Sequence, residues 1–165
     1  MVDHNHIIRS TEAITNKKHK AIIHLAYSAA LRVSEVINLK IEDIDSQMMQ
    51  IHIKNAKGRK DRIVPLSHDL LTTLREYFIE YRPRVYLFNG QSDSKYSATS
   101  CRNIVKKYIG NIRFHDLRHS CATYLTEQDV SQRKLADLLG HTSTRTSEIY
   151  QHLSRKSLNS LPLPC

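Results

Sequence analysis

The chain has 165 residues, 40% of them hydrophobic, and a formal net charge of +9, with 25 Lys and Arg against 16 Asp and Glu. That length suits one domain whose core needs no covalent staples, and its apolar stretches are too short and too interrupted by charge to span a membrane. Residues Met1 to His6 lack a signal peptide's apolar core, so an intracellular protein is expected, and the surplus of cations points to a polyanionic partner such as nucleic acid.

Residues 1–16 are polar and without sustained periodicity, and they read as a flexible lead-in or the remnant of a linker. From Lys18 to Leu31, the residues Ile22, Leu25, Ala26 and Ala29 recur at helical spacing. Val33, Val36, Ile37 and Leu39 continue as a second short helix, which places Arg32 at a helix junction. Gln50 to Lys54 alternates polar and apolar side chains, and Arg62-Ile63-Val64 follows a turn marked by Gly58, a pattern that predicts an antiparallel hairpin with Lys57 in its loop. A helical stripe of Leu70, Leu71, Leu74, Tyr77, Phe78 and Tyr81 begins after a Ser67 cap and ends before Pro83. Val85 to Phe88 reads as a short extended piece. Ser97 is placed to cap a helix carrying Cys101, Ile104, Val105 and Tyr108; Leu117, Cys121, Tyr124 and Leu125 mark the next, and Ser131 opens a third that stops at Gly140. The expected class is mainly α with a small antiparallel β-sheet.

Two features of the chain carry chemistry. Lys54, Lys57, Arg59, Lys60 and Arg62 crowd into nine residues opposed only by Asp61, a density that suggests contact with nucleic acid. Further on, His115-Asp116-Leu117-Arg118-His119, Leu139-Gly140-His141 and Glu148-Ile149-Tyr150 set imidazole, guanidinium and phenol groups in one ordered series. An arginine can grip phosphate oxygens in a bidentate fork, histidines move protons near neutral pH, and a tyrosine can act as a covalent nucleophile. On a helix, His115, Arg118 and His119 share a face while Leu117, Cys121 and Leu125 hold the core. Arg32 and Glu35 also read as a helical ion pair. The cysteines, Cys101, Cys121 and Cys165, are odd in number and lack CxxC spacing, so free thiols are expected, with Cys121 buried. His115 and His119 lack the glutamate of an HExxH zinc motif and no Gly-rich phosphate loop is present, so neither metal nor ATP is expected as a cofactor.

Arg32, Lys57, His115, Arg118, His141 and Tyr150, in that order and in these surroundings, resemble the catalytic domain of the tyrosine recombinase (phage integrase) family over roughly Ile22 to Leu153. The resemblance implies a catalytic domain over residues 17–153 and a tail, 154–165, that either is exchanged with a neighbouring subunit or packs on its own domain or frays. It implies that Arg32 and Arg118 hold the scissile phosphate, Lys57 protonates the departing 5′-oxygen, His115 is the base and His141 hydrogen-bonds the phosphate or the tyrosine. Tyr150 would form a 3′-phosphotyrosyl link, with Glu35 and His119 supporting the site from behind and Lys54, Arg59, Lys60 and Arg62 binding DNA. It also implies a tetramer on double-stranded DNA, a monomer or weak dimer without it, no membrane association, and a cytoplasmic, bacterial or phage-encoded protein of the nucleoid. The family's usual N-terminal DNA-clamping domain would be missing, so weak, salt-sensitive DNA binding is expected. A type IB topoisomerase-like nicking and closing enzyme, or a non-catalytic DNA-binding protein of the same fold, would be built from the same residues.

Overall fold

The computed structural model describes residues 2–54, 60–140 and 161–165. Lys57, Arg59, His141 and Tyr150, together with residues 154–160 of the tail, lie outside the described residues.

The first helix, α1 (His4–Glu12), corrects the expected flexible lead-in. Asp3 caps it by accepting from the His6 N–H at 3.2 Å. Its anchors are largely polar: the His4 ring stacks on Tyr124 with centroids 4.2 Å apart and shares a 2.7 Å hydrogen bond with the Tyr27 hydroxyl. His6 Nε2 donates to the Ile109 carbonyl at 2.8 Å, and Ile7 and Ile14 are buried beneath. Helix α1 is therefore packed against α2, α6 and the end of α5.

Helix α2 (Lys17–Ser28) is the central element. Asn16 caps it through the His19 N–H at 3.0 Å, and Ile22, Ile23, Leu25, Ala26 and Tyr27 are all fully buried. Each buried Ile or Leu contributes about 1.5–3 kcal/mol relative to exposure, so this stripe organises what packs on it. A turn leads into α3 (Val33–Asn38), with Arg32 at the N-cap position as the periodicity predicts.

After a single 3-10 turn, strands β1 (Ile44–Asp45), β2 (Gln50–Ile53) and β3 (Arg62–Pro65) form an antiparallel sheet in the order β1-β2-β3. The β2–β3 hairpin is the expected one, in register Ile51↔Val64 and Ile53↔Arg62. The two-residue β1 has too little alternation to be visible in the sequence. Helix α4 (His68–Tyr81) lies against α2, and Ser67 caps it by accepting from the Leu70 N–H at 3.1 Å. The extended piece after it runs beside Leu39 and Ile41, with Leu87 N–H donating to Leu39 and Ile41 N–H donating to Val85, each at 2.9 Å.

Three further helices close the domain: α5 (Ala98–Tyr108), α6 (Phe114–Glu127) and α7 (Gln132–Leu139). Ser97 and Ser131 cap α5 and α7, and Gly140 ends α7 with φ +70°, a conformation glycine adopts without strain. Leu117, Cys121 and Leu125 of α6 are fully buried, and α6 also packs on α2. At the other end of the chain, the hydroxyls of Ser28 and Ser67 both donate to the Cys165 carbonyl, at 2.8 and 2.7 Å, so residues 161–165 rest on the domain's own body. Among the described residues the three cysteines are unbridged, and no helix is long and apolar enough to cross a membrane.

Candidate active site

The turn between α2 and α3, the start of α6 and the end of α7 meet at Arg118. This arginine is 3% exposed; its Nη1 donates to the Ala30 carbonyl at 2.8 Å and its Nη2 donates to the Leu139 carbonyl. Ala30 stands at φ +53°, a left-handed conformation that costs an L-residue about 1–2 kcal/mol. The carbonyl of this strained residue is the one that takes Arg118. Two bonds leave part of the five-donor guanidinium fork for another acceptor.

Arg32 lies two residues beyond that turn with its side chain 23% exposed. The Arg32 N–H donates to Glu35 Oε1 at 2.9 Å, so the carboxylate caps α3 while its other oxygen stands 3.6 Å from Arg32 Nη1. Burial pushes the Glu35 carboxyl up, but the hydrogen bonds and charge of Arg62, joined by Arg32, outweigh it and hold the group below the ordinary carboxylate range. Glu35 is therefore ionised at neutral pH.

Arg62 corrects the expectation of a DNA-facing side chain. Its side chain is 8% exposed, forks onto both oxygens of Glu35 through Nη1 and Nη2, and donates from Nε to the Leu138 carbonyl at 2.9 Å. A sequence signal for this was present: Arg62 shares a strand face with the fully buried Val64, two residues on. Lys54, expected on DNA too, is 60% exposed but reaches Asp43 Oδ1 at 2.9 Å and Glu42 Oε1 at 3.4 Å, so acidic neighbours already counter its charge. Lys60 lies at the surface.

His115 and His119 stand exposed on α6 as an edge-to-face pair, with centroids 4.5 Å apart and planes at 88°. Partial burial, then the charges of His119, Arg118, Arg32 and Arg113, lower the proton affinity of His115. At neutral pH it is an unprotonated imidazole able to accept a proton. Burial, followed by repulsion from Arg32 and Arg62, draws the Arg118 guanidinium down to about 10, so it stays charged. Arg32, Arg62 and Arg118 thus act on one another around the single carboxylate of Glu35, and the described residues carry a local excess of positive charge. In a low-dielectric setting such an excess attracts an anion strongly, and the unused N–H groups of Arg118 match the oxygens of a phosphate. Among the described residues no group of three His, Cys, Asp or Glu is placed to hold a metal ion.

Residues 3–157 match the Phage integrase family. The chain belongs to that family. Across 151 residues it is 38% identical to the tyrosine recombinase XerA of Pyrococcus horikoshii, covering 87% of this chain and 53% of that protein. Its fold resembles a crystal structure of XerA recombinase with a TM-score of 0.75 at 27% identity, over 94% of this chain and 60% of that one. It also resembles the XerH site-specific recombinase bound to its difH substrate in a pre-cleavage complex, with a TM-score of 0.75 at 25% identity over 93% of this chain and 50% of that one. The chain spans about half the length of the curated relatives it matches. In this integrase-family domain the matched region takes in α1.

Proposed function

We propose that this chain is the catalytic part of a tyrosine-type site-specific DNA recombinase or integrase. The observation that carries the reading is the cationic cluster in which Arg118, nearly buried, and Arg32, partly open, lie beside an unprotonated His115. Its electrostatics suit a phosphodiester whose negative charge grows in the transition state. Preorganised donors of this kind are worth about 3 kcal/mol each in comparable oxyanion sites.

In the proposed reaction the Tyr150 phenol oxygen attacks the scissile phosphorus and His115 accepts the phenolic proton. Arg32 and Arg118 hold the non-bridging oxygens, and His141 hydrogen-bonds the phosphate or the tyrosine. The bond to the 5′-oxygen breaks as Lys57 protonates the departing group, leaving a 3′-phosphotyrosyl link and a free 5′-hydroxyl. Attack by the 5′-hydroxyl of a partner duplex reverses the step and restores a phosphodiester. The ester stores the energy of the broken bond, so the cycle is isoenergetic. Double-stranded DNA is the partner, with four protomers on two duplexes. The DNA-bound XerH relative supports the choice of partner.

The test is covalent capture on nicked duplexes with randomised sequence around the nick, where the short released strand diffuses away. The unchanged chain should give a protein–DNA adduct that survives boiling in detergent, and Tyr150→Phe should give none. An adduct that persists in Tyr150→Phe contradicts the assignment of the nucleophile. Joining of the captured strand to a second duplex, rather than resealing of the first, separates a recombinase from a nicking and closing enzyme.

A further inference from the structure

We infer that Arg62 is a positioning residue for the cleavage step, holding the Arg32 end of the phosphate site and the C-terminal end of α7 in one rigid unit without touching DNA. The inference rests on the cleavage reading above. Arg62 uses both Nη atoms on Glu35, and Glu35 in turn caps α3 at the Arg32 N–H and pairs with the Arg32 guanidinium. Its third bond, Nε to the Leu138 carbonyl, falls on the carbonyl next to the Leu139 oxygen held by Arg118. Two guanidiniums therefore share the carbonyl end of α7, where the helix dipole is negative and cations are favoured. From there the chain passes Gly140 and reaches Tyr150 ten residues later.

Gly140 is fitted to this contact. A Cβ at that position would stand 2.9 Å from Arg62 Cδ and 3.1 Å from Nη1, so the Arg62 side chain packs where any other residue's side chain would begin. Arg62 is also the first residue of β3 and stands five positions after Lys57, the proposed acid, in the sequence. A buried ion pair is a poor stabiliser compared with apolar residues of the same size, so stability alone does not account for a forked arginine here. Precise placement does: misplacing a reacting group by about 1 Å can cost roughly 100-fold in rate.

The test separates rate from affinity. Adduct formation on the randomised nicked duplexes is timed at saturating DNA, and DNA affinity is measured separately in a Tyr150→Phe background. Arg62→Lys keeps the charge and loses the fork. The pair Arg62→Met with Glu35→Gln removes both charges and leaves an acceptor for the Arg32 N–H. Each should still melt cooperatively and bind DNA within about twofold of the unchanged chain, yet form adduct at least tenfold more slowly, approaching 100-fold for the pair. If the pair fails to fold, Arg62→Lys carries the test. Unchanged rates in folded variants overturn the positioning role and leave the cleavage reading intact. A loss that appears wholly as weaker, less salt-dependent DNA binding makes Arg62 a phosphate contact and overturns it as well. No adduct from the unchanged chain overturns the cleavage reading, and the positioning role falls with it.

Discussion

Lys54 and Arg62 stand at the two feet of the same hairpin turn, both cationic and both paired with acids, yet their side chains are 60% and 8% exposed. Water and salt screen the Lys54 pair with the exposed Glu42, while its other partner, the Asp43 side chain, is 4% exposed and also accepts from the Lys40 N–H at 2.9 Å. The Arg62–Glu35 pair sits in low dielectric, where its formation and its disruption are both expensive. From this pair of residues one learns that local charge density in a sequence locates basic segments but not the direction in which each cation faces. On β3 the direction is set by strand alternation, and Arg62 follows Val64 inward.

The largest effect should come from breaking the buried pair on one side. Glu35→Ala leaves the Arg62 guanidinium buried without its carboxylate, which should cost about 3–5 kcal/mol. For a domain of this size that lowers the melting temperature by roughly 6–20 °C in a calorimetric scan. A fall of only a degree or two would mean that water reaches Arg62.

Next is a buried polar group without a charge. His24 lies 7% exposed, with Nδ1 2.8 Å from Thr73 Oγ1, whose hydroxyl donates to the Asp69 carbonyl at 3.2 Å. Nδ1 is then the protonated nitrogen, and among the described residues Nε2 has no hydrogen-bond partner. Burial, with Lys20 adding to it and Asp69 opposing, holds the imidazole down to about 4. Because the folded form binds a proton less readily than the unfolded chain, stability is full above about pH 6.5 and declines as pH falls toward 4, by roughly 3 kcal/mol in all. Urea titrations across that window should show a steeper decline for the unchanged chain than for His24→Leu; parallel declines would remove His24 as the cause.

Gly140→Ala should cost about 1–2 kcal/mol from its positive φ, with more from displacing Arg62. Its urea midpoint should fall and its adduct formation should slow along with that of Arg62→Lys. A variant with normal kinetics would uncouple Gly140 from the arginine. Lys54→Ala is the smallest change: the Asp43 carboxylate keeps its bond from the Lys40 N–H, so the urea midpoint should fall far less than in Glu35→Ala. If it destabilised the domain as much as Glu35→Ala, the contrast between the two feet of the hairpin would be lost.

Much of the scaffold was legible because its signals are local. Ser67, Ser97 and Ser131 cap the helices they were expected to cap, Gly140 ends α7, and β2 pairs with β3 as the alternation predicts. The grouping of Arg32, Glu35, His115, Arg118 and His119 was legible through the order of a family pattern. What escaped depends on distant partners. Helix α1 is held by His4 and His6 against Tyr27, Tyr124 and Ile109, polar contacts without periodicity. The bonds that hold Arg118 go to the Ala30 and Leu139 carbonyls, groups every residue possesses, so no side-chain pattern announces them.

The central claim is that this cationic cluster serves transfer of a DNA phosphoryl group to Tyr150. Proteolysis of the captured adduct followed by mass spectrometry reads the claim directly. The account predicts one modified peptide, carrying a 3′-nucleotide esterified to the Tyr150 phenol, with yield lost in Arg118→Lys because an ammonium lacks the planar fork. A nucleotide attached to a histidine, to a serine or to another tyrosine, or a link through a 5′-phosphate, would contradict it.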